Sequence, residues 1–562
     1  MNRKHLIVAV LSAAAIAGCE SGDINVQPST TVTDSNNTIN QGGGGTTNPC
    51  ATITIGGAPN QGRFDGNTGN CTYPDIVGAG NNLTSDLFIP ALPNGGAHIF
   101  EGSLFIGETH RTNAELAAAG IAEGGDGASL TIEAGATLAW QTSKDFLIVN
   151  RGSQIFARGR ADAPITFTSV SDVNGSVGPE DVQQWGGIVI NGFAVTNKCA
   201  YTGTRGIDLV LAGECHVDAE GAAGLDESQY GGDNDADNSG VLSYVVVKHT
   251  GATVGNGDEL NGISFGGVGS GTVVNNLEVY STFDDGIEMF GGSFDITNLV
   301  GLYVRDDAID IDEGYNGTIT NALVIQSETD GNHCIEADGI GSFESLAAPE
   351  IEAKIAQNLQ SAPTINNLTC IISANGAGTA THDPGAGWRL REGIFATIND
   401  ALVISSFVEN DQGSANDNYC LRIDNRSQTA AIDGDLTLNA VIFACQENSR
   451  GQPFGAFASE QDFAESLGNI FSVVPDGTVM SATAVSNPEL QLLEGTVPVY
   501  SIDYATMQVD TDGDNVGEVP AGAPTAGTFV GGLSLGATDW TAGWTYGIHS
   551  ANRGQALWFE GL

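Results

Sequence analysis

Basic residues are scarce in this chain. Of its 562 residues, 19 are lysine or arginine and 68 are aspartate or glutamate, which gives a formal net charge of −49. A surface of this sign repels nucleic acid and anionic lipid, so we expect neither as an electrostatic partner. Acidic polysaccharides are poor partners unless cations bridge them. Cations, basic proteins and neutral glycans remain as partners that this charge allows. Many of the acidic residues serve to keep the protein soluble in a salty medium.

The chain also lacks the short motifs of common enzyme classes. It has no H-E-x-x-H, P-loop or calcium nonapeptide repeat. The absence of C-x-x-C argues against a zinc site and a thioredoxin-like redox centre. Amphipathic helical patterns are few and short, so a sheet of alternating strands and helices is not expected.

Residues 1–18 have the pattern of a secretory signal peptide. A basic start precedes an apolar run over 6–17, which is too short to span a membrane. The run ends in Ile-Ala-Gly-Cys, which resembles the lipobox where bacterial lipoproteins are cleaved and acylated. Cys19 is therefore the expected lipid anchor, and ordinary cleavage with an incidental cysteine is the alternative. Glu20 replaces the aspartate that often retains lipoproteins at the inner membrane, which favours the outer membrane.

Residues 19–49 are rich in serine, threonine, asparagine and glycine, a composition that predicts a flexible tether between the lipid and the folded part. Of nine cysteines, eight remain after Cys19, and an even number in an exported chain indicates disulfides. We favour sequential pairing because each bond would close a local loop. The expected bonds are Cys50–Cys71, Cys199–Cys215, Cys334–Cys370 and Cys420–Cys445.

One short phrase occurs four times between residues 261 and 337. Apolar and polar residues alternate within each copy, as in a β-strand. The copies are 24, 22 and 26 residues apart, a period that indicates stacked structural repeats. Their central isoleucines are expected to form an interior ladder with about 4.8 Å between rungs. These isoleucines are Ile263, Ile287, Ile309 and Ile335.

The predicted fold class is all-β, a right-handed single-stranded parallel β-helix (a solenoid) with N- and C-terminal caps. An antiparallel sandwich with coincidental spacing is the alternative. The 77 glycines suit the many tight corners of a solenoid. We expect an N-terminal cap over 50–125 and the β-helix over 126–450. C-terminal coils and a cap over 451–562 would cover the open end, because an uncovered edge invites pairing.

Carboxylates recur with the same period as the isoleucines. On adjacent rungs they would lie roughly 5 Å apart and repel by about 1 kcal/mol per pair at the surface. A cation, a proton or an arginine should relieve them, and Arg305, Arg389 and Arg391 lie in the right region. The candidate catalytic acids are Glu288, Asp310 and Glu336. The candidate metal ligands are Asp284, Asp285, Asp306 and Asp307.

Three interpretations of this acidic strip stay open. Carboxylate oxygens are ligands that Ca²⁺ prefers. Aspartate is also common in tight turns, so the strip is alternatively a structural ladder. For catalysis, carboxylates about 5 Å apart match the pair of a retaining glycosidase. His333 could assist such a reaction, although its place beside an expected disulfide is more typical of a structural residue.

A second candidate calcium site lies at 510–518. Its start resembles a calcium-binding loop, but Asn515 replaces the glycine and Ala521 the terminal glutamate of the EF-hand pattern. Two interpretations of this loop stay open, a weak structural Ca²⁺ site and a solvated acidic turn. The candidate ligands are Asp510, Asp512, Asp514 and Glu518.

Several longer motifs resemble those of a bacterial family of secreted β-helix proteins. The motifs lie at 230–244, 266–272, 284–292, 306–314 and 540–546. Family members include outer-membrane lipoproteins, among them a leptospiral lipoprotein group, and have a pectin-lyase-like fold. The resemblance implies fold and location, but it carries over no catalytic residues.

We therefore expect an outer-membrane lipoprotein without enzymatic activity. Its rigid acidic β-helix would serve binding, adhesion or structure, with a glycan or a surface protein as partner. The alternative is a glycan-active hydrolase or lyase that uses the stacked carboxylates.

Overall fold

The structure is a computed structural model. The signal peptide, Cys19 and the loop with Asp510, Asp512, Asp514 and Glu518 lie outside its described residues. The described residues are 48–75, 82–121, 125–220, 228–253, 259–373, 385–404, 419–445, 447–471, 491–493, 497–503, 529–533 and 538–558.

Ten strands within these ranges stack into one parallel sheet. Each strand pairs with the strand that the next coil contributes, so their order in space follows their order in the chain. We call this the ten-stranded sheet. Its strands are Leu104–Ile106, Leu147–Val149, Ile188–Asn191, Ile263–Gly266, Ile287–Phe290, Ile309–Asp312, His333–Asp338, Ala386–Arg391, Tyr419–Ile423 and Glu447–Ser449.

The strands that follow in each coil bend at a corner and so contribute to two further faces. Gly240–Lys248, for example, pairs through its first half with Gln154–Arg158 and through its second half with Ile165–Ser169. Both pairings are parallel. The bent strands among the described residues are Gly240–Lys248, Val273–Tyr280, Asp295–Leu302, Thr318–Ile325, Thr364–Ile371 and Thr397–Ile404.

Shorter separate strands form these two faces nearer the ends of the stack. With the ten-stranded sheet they surround one interior, and this arrangement is a parallel β-helix. The predicted fold class is confirmed, and the antiparallel sandwich is wrong. The short strands are Arg63–Phe64, Cys71–Tyr73, Leu87–Ile89, Ala97–Phe100, Ser129–Ile132, Thr137–Trp140, Gln154–Arg158, Ile165–Ser169, Thr437–Asn439, Ile442–Ala444 and Ile470–Phe471.

The remaining elements lie on the stack or at its ends. The α-helices of the described residues are Asn113–Ala119, Val170–Val173, Ala348–Ala356, Ser427–Asp433 and Glu460–Ser466. Two 3₁₀ turns are Pro93–Gly95 and Phe343–Ser345. Antiparallel pairings join Thr52–Ile55 to Ala58–Gln61, Tyr201–Thr202 to Val210–Leu211, Val217–Asp218 to Gln229–Tyr230, Gln491–Leu493 to Val497–Asp503, and the last of these to Phe529–Val530. No helix within the described ranges is long and apolar enough to cross a membrane.

The interior is built by the inward-facing residues of all three faces. The predicted isoleucine ladder is confirmed, since Ile263, Ile287, Ile309 and Ile335 occupy one register and are at most 1% exposed. Burying each such side chain contributes about 1.5–3 kcal/mol. All four predicted disulfides are present, and Cys334–Cys370 lies wholly within the core.

Asparagines form the corner of the bent strands. Their φ angles are between 52° and 62°, the left-handed region that asparagine tolerates better than most residues. After the first of them, each Nδ2 donates to the Oδ1 of the asparagine one coil earlier at 3.0 Å, so the amides form a continuous ladder. The ladder residues are Asn276, Asn298, Asn321 and Asn367.

We expect Asn298→Ala to lower the unfolding free energy by about 2–3 kcal/mol. The variant loses two amide hydrogen bonds worth about 1 kcal/mol each and holds alanine in a left-handed conformation that costs about 1 kcal/mol. Asn298→Gly loses the same bonds without that strain, so it should be the more stable variant. Urea denaturation of both variants checks this, and wild-type stability in the alanine variant would contradict it.

The ends of the stack differ from the expected boundaries. Within the predicted N-terminal cap, Leu87–Ile89 and Leu104–Ile106 already pair in parallel with later coils. Within the predicted C-terminal segment, Glu460–Ser466 and Ile470–Phe471 cover the last coil. The described residues 529–533 and 538–558 do not continue over that end. They lie along the flank of the stack, where Val530, Leu533, Ile548 and Leu557 pack against the outer side of the bent strands.

Candidate functional site

The three predicted acids stack on consecutive strands of the ten-stranded sheet. In register, Ser264 is followed by Glu288, Asp310, Glu336, Arg389 and Arg422. Their neighbours in the strands point into the core, so this row lies on the outer face. Glu288 and Glu336 are nevertheless buried, whereas Asp310 is half-buried. The outer face here is covered and partly dry, which strengthens every charge interaction in it.

The aspartates that precede these strands cap the backbone of the next coil. Asp285 Oδ1 accepts from the Asp307 amide at 2.9 Å, and Asp307 Oδ1 accepts from the His333 amide at 2.6 Å. Asp306 Oδ1 likewise accepts from Asn332 Nδ2 at 2.6 Å. These bonds show the structural role that the sequence suggested for aspartates in tight turns.

Arginines neutralise the C-terminal half of the strip. Glu336 lies 2.8 Å from Arg389 Nη1 and 2.6 Å from Arg391 Nη2, and Arg391 Nε also pairs with Asp338. Arg305, the third expected partner, instead donates to the Glu180 carbonyl at 2.8 Å. Glu336 is therefore a fixed member of an ion-pair network, which does not suit it to proton transfer.

In the N-terminal half of the strip, the carboxylates of adjacent coils lie close to one another. We call Asp284, Asp285, Glu288, Asp306 and Asp310 the acidic cluster. Two sets of its side chains each bring three carboxylate oxygens within 4.8 Å of one another, and Asp285 belongs to both sets. None of the ion pairs between described residues includes Asp285, Glu288 or Asp310.

Protonation is the other way to relieve this crowding. Burial, reinforced by neighbouring carboxylates, raises the pKa of Asp284 to about 8. The same causes hold the pKa values of Asp285, Glu288 and Asp310 well above their ordinary range. Near neutral pH the acidic cluster therefore holds protons that a bound cation would displace.

Asn261 adds a neutral oxygen at the edge of the acidic cluster. Its Nδ2 donates to Glu288 Oε2 at 2.6 Å and to Ser264 Oγ at 3.1 Å, which fixes the orientation of the amide. Its Oδ1 is buried and accepts no hydrogen bond from the described residues. A buried carbonyl oxygen without a donor is unusual, and it is a ligand that Ca²⁺ takes readily.

His333 lies between an acid and a phenol on the same face. Its Nδ1 is 2.8 Å from Asp307 Oδ1 and its Nε2 is 3.0 Å from the Tyr419 hydroxyl. Because the carboxylate accepts from Nδ1, the hydroxyl donates to Nε2. Burial lowers the pKa of His333 to about 4, so the ring is neutral at physiological pH. Asp307, His333 and Glu336 also form a possible metal-ligand set. Each already has a partner, so we do not assign a cation there.

Sequence patterns did not single out Asn261, Asp338 or Tyr419. Asn261 is the first residue of the first copy of the repeated phrase, the position that Asp285 occupies one coil later. This shared position could have indicated that Asn261 lies beside the carboxylates. Asp338 follows Glu336 by two residues, so strand alternation places both on one face. No sequence pattern could have indicated the role of Tyr419, because its contact partner His333 lies 86 residues away in the chain.

Fold and site together define a class, namely a parallel β-helix protein with a carboxylate cluster on the outer face of one sheet. The profile of the family described as Pectate-lyase like beta helix domain matches residues 110–464, and the chain belongs to this family. The pectin-lyase-like fold expected from the motifs is thus confirmed, and the family fits a carbohydrate-active or surface module. No curated protein and no solved structure matches the chain. The leptospiral lipoprotein group stays a prediction.

Proposed function

We propose that this protein is an outer-membrane lipoprotein, anchored through Cys19, whose β-helix binds Ca²⁺ and, through it, a surface glycan. The observation that carries the proposal is the acidic cluster. Asp285, Glu288 and Asp310 bring their carboxylate oxygens within 4.8 Å of one another and take part in no ion pair between described residues. The next coils, by contrast, supply two arginines to Glu336.

The donor set favours Ca²⁺ over other ions. Asp285, Glu288 and Asp310 offer carboxylate oxygens within 4.8 Å of one another, and Asn261 Oδ1 offers a neutral oxygen beside them. The acidic cluster contains no sulfur or imidazole. Hard oxygen donors without nitrogen or sulfur are the ligands of Ca²⁺ and Mg²⁺, and Ca²⁺ tolerates irregular geometry better.

A bound cation also makes a glycan a suitable partner. The net charge of −49 disfavours acidic polymers on their own, but Ca²⁺ can accept sugar hydroxyl or carboxylate oxygens at positions that the protein leaves open. Asp310 is half-buried and is the most accessible member of its ligand set. We therefore expect the glycan to approach the cation on the side of Asp310.

The test compares glycan binding by the full chain with Ca²⁺ and with a chelator. Binding on a glycan array should fall at least tenfold on chelation and in Asp310→Asn. Asp433→Asn, which changes an exposed carboxylate on the helix Ser427–Asp433, is the matched control and should bind like wild type. The proposal would be overturned if neither chelation of Ca²⁺ nor the Asp310→Asn substitution reduced glycan binding.

A glycan-active hydrolase or lyase is the second candidate function. Glu288 and Asp310 pair on adjacent strands, and burial raises the pKa values of both, as a general acid requires. Cleavage of any glycan on the same array, abolished by Glu288→Gln or Asp310→Asn, would establish this activity in place of simple binding.

The anchor has its own test. Cys19→Ser removes the thiol that would carry lipid, so the protein should move from the membrane fraction to the soluble fraction and lose fatty-acid labelling. Unchanged membrane fractionation and acylation would show that Cys19 is not the anchor.

A further inference from the structure

The first halves of the later bent strands present a polar outer face that is separate from the acidic cluster. In successive coils the sequence there is Thr-Ile-Thr, Thr-Ile-Asn, Thr-Ile-Asn and Thr-Leu-Asn. The central isoleucine or leucine is buried in the core, so the side chains on either side of it point outward. We call these outward residues the threonine–asparagine face. They are Thr318, Thr320, Thr364, Asn366, Thr397, Asn399, Thr437 and Asn439.

The side chains of this face form two straight rows, because the strands pair in parallel without a register shift. Neighbours within a row lie about 4.8 Å apart, which is the strand spacing. The two rows lie about 6.6 Å apart, since the outward residues of one strand are separated by two rises of about 3.3 Å. Hydroxyl and amide groups therefore recur at fixed intervals in two directions.

Hydrogen bonds between the coils hold this array in place. Asn399 Nδ2 donates to Asn366 Oδ1 at 2.8 Å, and Asn439 Nδ2 donates to Asn399 Oδ1 at 2.9 Å. In the other row, Thr437 Oγ1 lies 3.3 Å from Thr397 Oγ1. Branching at Cβ also restricts the threonine side chains to few rotamers. The groups are thus ordered before any partner arrives.

The threonine–asparagine face is uncharged, although the chain has 68 acidic and 19 basic residues. Its side chains are all at least partly exposed. A charged partner would need charges here, and a typical protein interface would need aromatic or apolar anchors. The face has neither, and it has no aromatic ring on which a sugar could stack. What distinguishes it is the repetition of the same neutral groups.

We propose that the threonine–asparagine face binds ice. The oxygen atoms of crystalline water recur at distances close to those within and between the two rows, so many groups of the face can take lattice positions at once. A single hydrogen bond to water contributes little, because liquid water offers the same bond. An array that is already ordered, however, binds the lattice without a further loss of side-chain entropy. The face therefore favours the solid over the liquid.

The test measures how much protein a slowly growing piece of ice takes up, because such ice excludes solutes that do not bind it. The full chain carrying Cys19→Ser avoids detergent. Its concentration in the ice fraction should exceed that of serum albumin at least tenfold. Thr364→Lys places a long charged side chain in the middle of the face, so it should lower the uptake at least tenfold with an unchanged melting temperature. Thr52→Lys, at an exposed position on the strand Thr52–Ile55, is the matched control and should be taken up like the parent chain.

Three results would overturn the proposal. These are uptake no greater than that of albumin, equal uptake of the parent chain and Thr364→Lys, and binding to powdered cellulose or chitin in place of ice. Asp310→Asn and removal of Ca²⁺ should both leave the uptake as it is. Loss of uptake in either case would place ice binding at the acidic cluster and contradict the assignment to this face.

Discussion

Replacing Arg391 with methionine is expected to lower the unfolding free energy by about 3–5 kcal/mol at pH 7, because it leaves the buried carboxylate of Asp338 without its arginine and Glu336 with Arg389 alone. Both carboxylates are about nine-tenths buried, and Arg391 contacts both. Methionine keeps most of the side-chain volume, so the loss reports the missing charge. Urea denaturation measures it.

The matched control is Arg426→Met. Its partner Glu352 is largely exposed, so breaking this pair should cost less than about 1 kcal/mol. The pH dependence gives a second check. Burial raises the pKa of Asp338 to about 6 even beside Arg391, and loss of that arginine raises it further, so the Arg391→Met loss should shrink as pH falls towards 6. A loss equal to that of Arg426→Met would contradict the buried network.

Replacing Glu278 with glutamine is expected to stabilise the protein by up to about 3 kcal/mol at pH 7. Glu278 lies on Val273–Tyr280 beneath the flank residues after 529 and is fully buried. Its Oε2 accepts from the Tyr546 amide at 2.7 Å, and its Oε1 has no partner in the described structure. Lys248, whose charge acts on Glu278, is engaged with Asp172 at 2.7 Å.

The substitution is expected to stabilise the protein because burial raises the pKa of Glu278 well above 4.5 in the folded state. Its contribution to stability is complete below pH 4.5 and is lost as pH rises towards the folded pKa. Glutamine does not titrate, so the gain should vanish near pH 4.5 and grow towards pH 7. Denaturation at both pH values tests this, with the exposed Glu101→Gln as control. A gain that is independent of pH would contradict the argument.

The stacked part of the fold could be predicted because its signal is local and repeated. The isoleucine phrase fixes both the period and the inward face, and structure and family membership confirm the resulting β-helix. The ends could not be placed in the same way. Leu87–Ile89 and Leu104–Ile106 are too short to carry a recognisable phrase, although they pair like later coils.

The stacking of the acids in the site could be predicted from the same repeat, but their burial and their ion pairs could not. Register follows from the period, so Glu288, Asp310 and Glu336 stack as expected. Burial does not follow from it. Sequence patterns treated the three acids alike, but Glu336 pairs with Arg389 and Arg391 from later coils whereas Glu288 faces Asn261. Which carboxylate receives an arginine depends on loop lengths that the strand pattern does not specify.

The central claim is that the acidic cluster binds Ca²⁺, and calorimetric titration of Ca²⁺ into the full chain at pH 7.5 tests it most directly. We expect saturable binding with a dissociation constant of about 0.1–1 mM. In two buffers of different ionisation enthalpy, the heats should show that protons are released. Asp310→Asn should weaken binding at least tenfold, whereas Asp433→Asn should not. The account would be contradicted if no Ca²⁺ bound, or if binding survived Asp310→Asn and disappeared in Asp512→Asn, which would place the ion in the 510–518 loop.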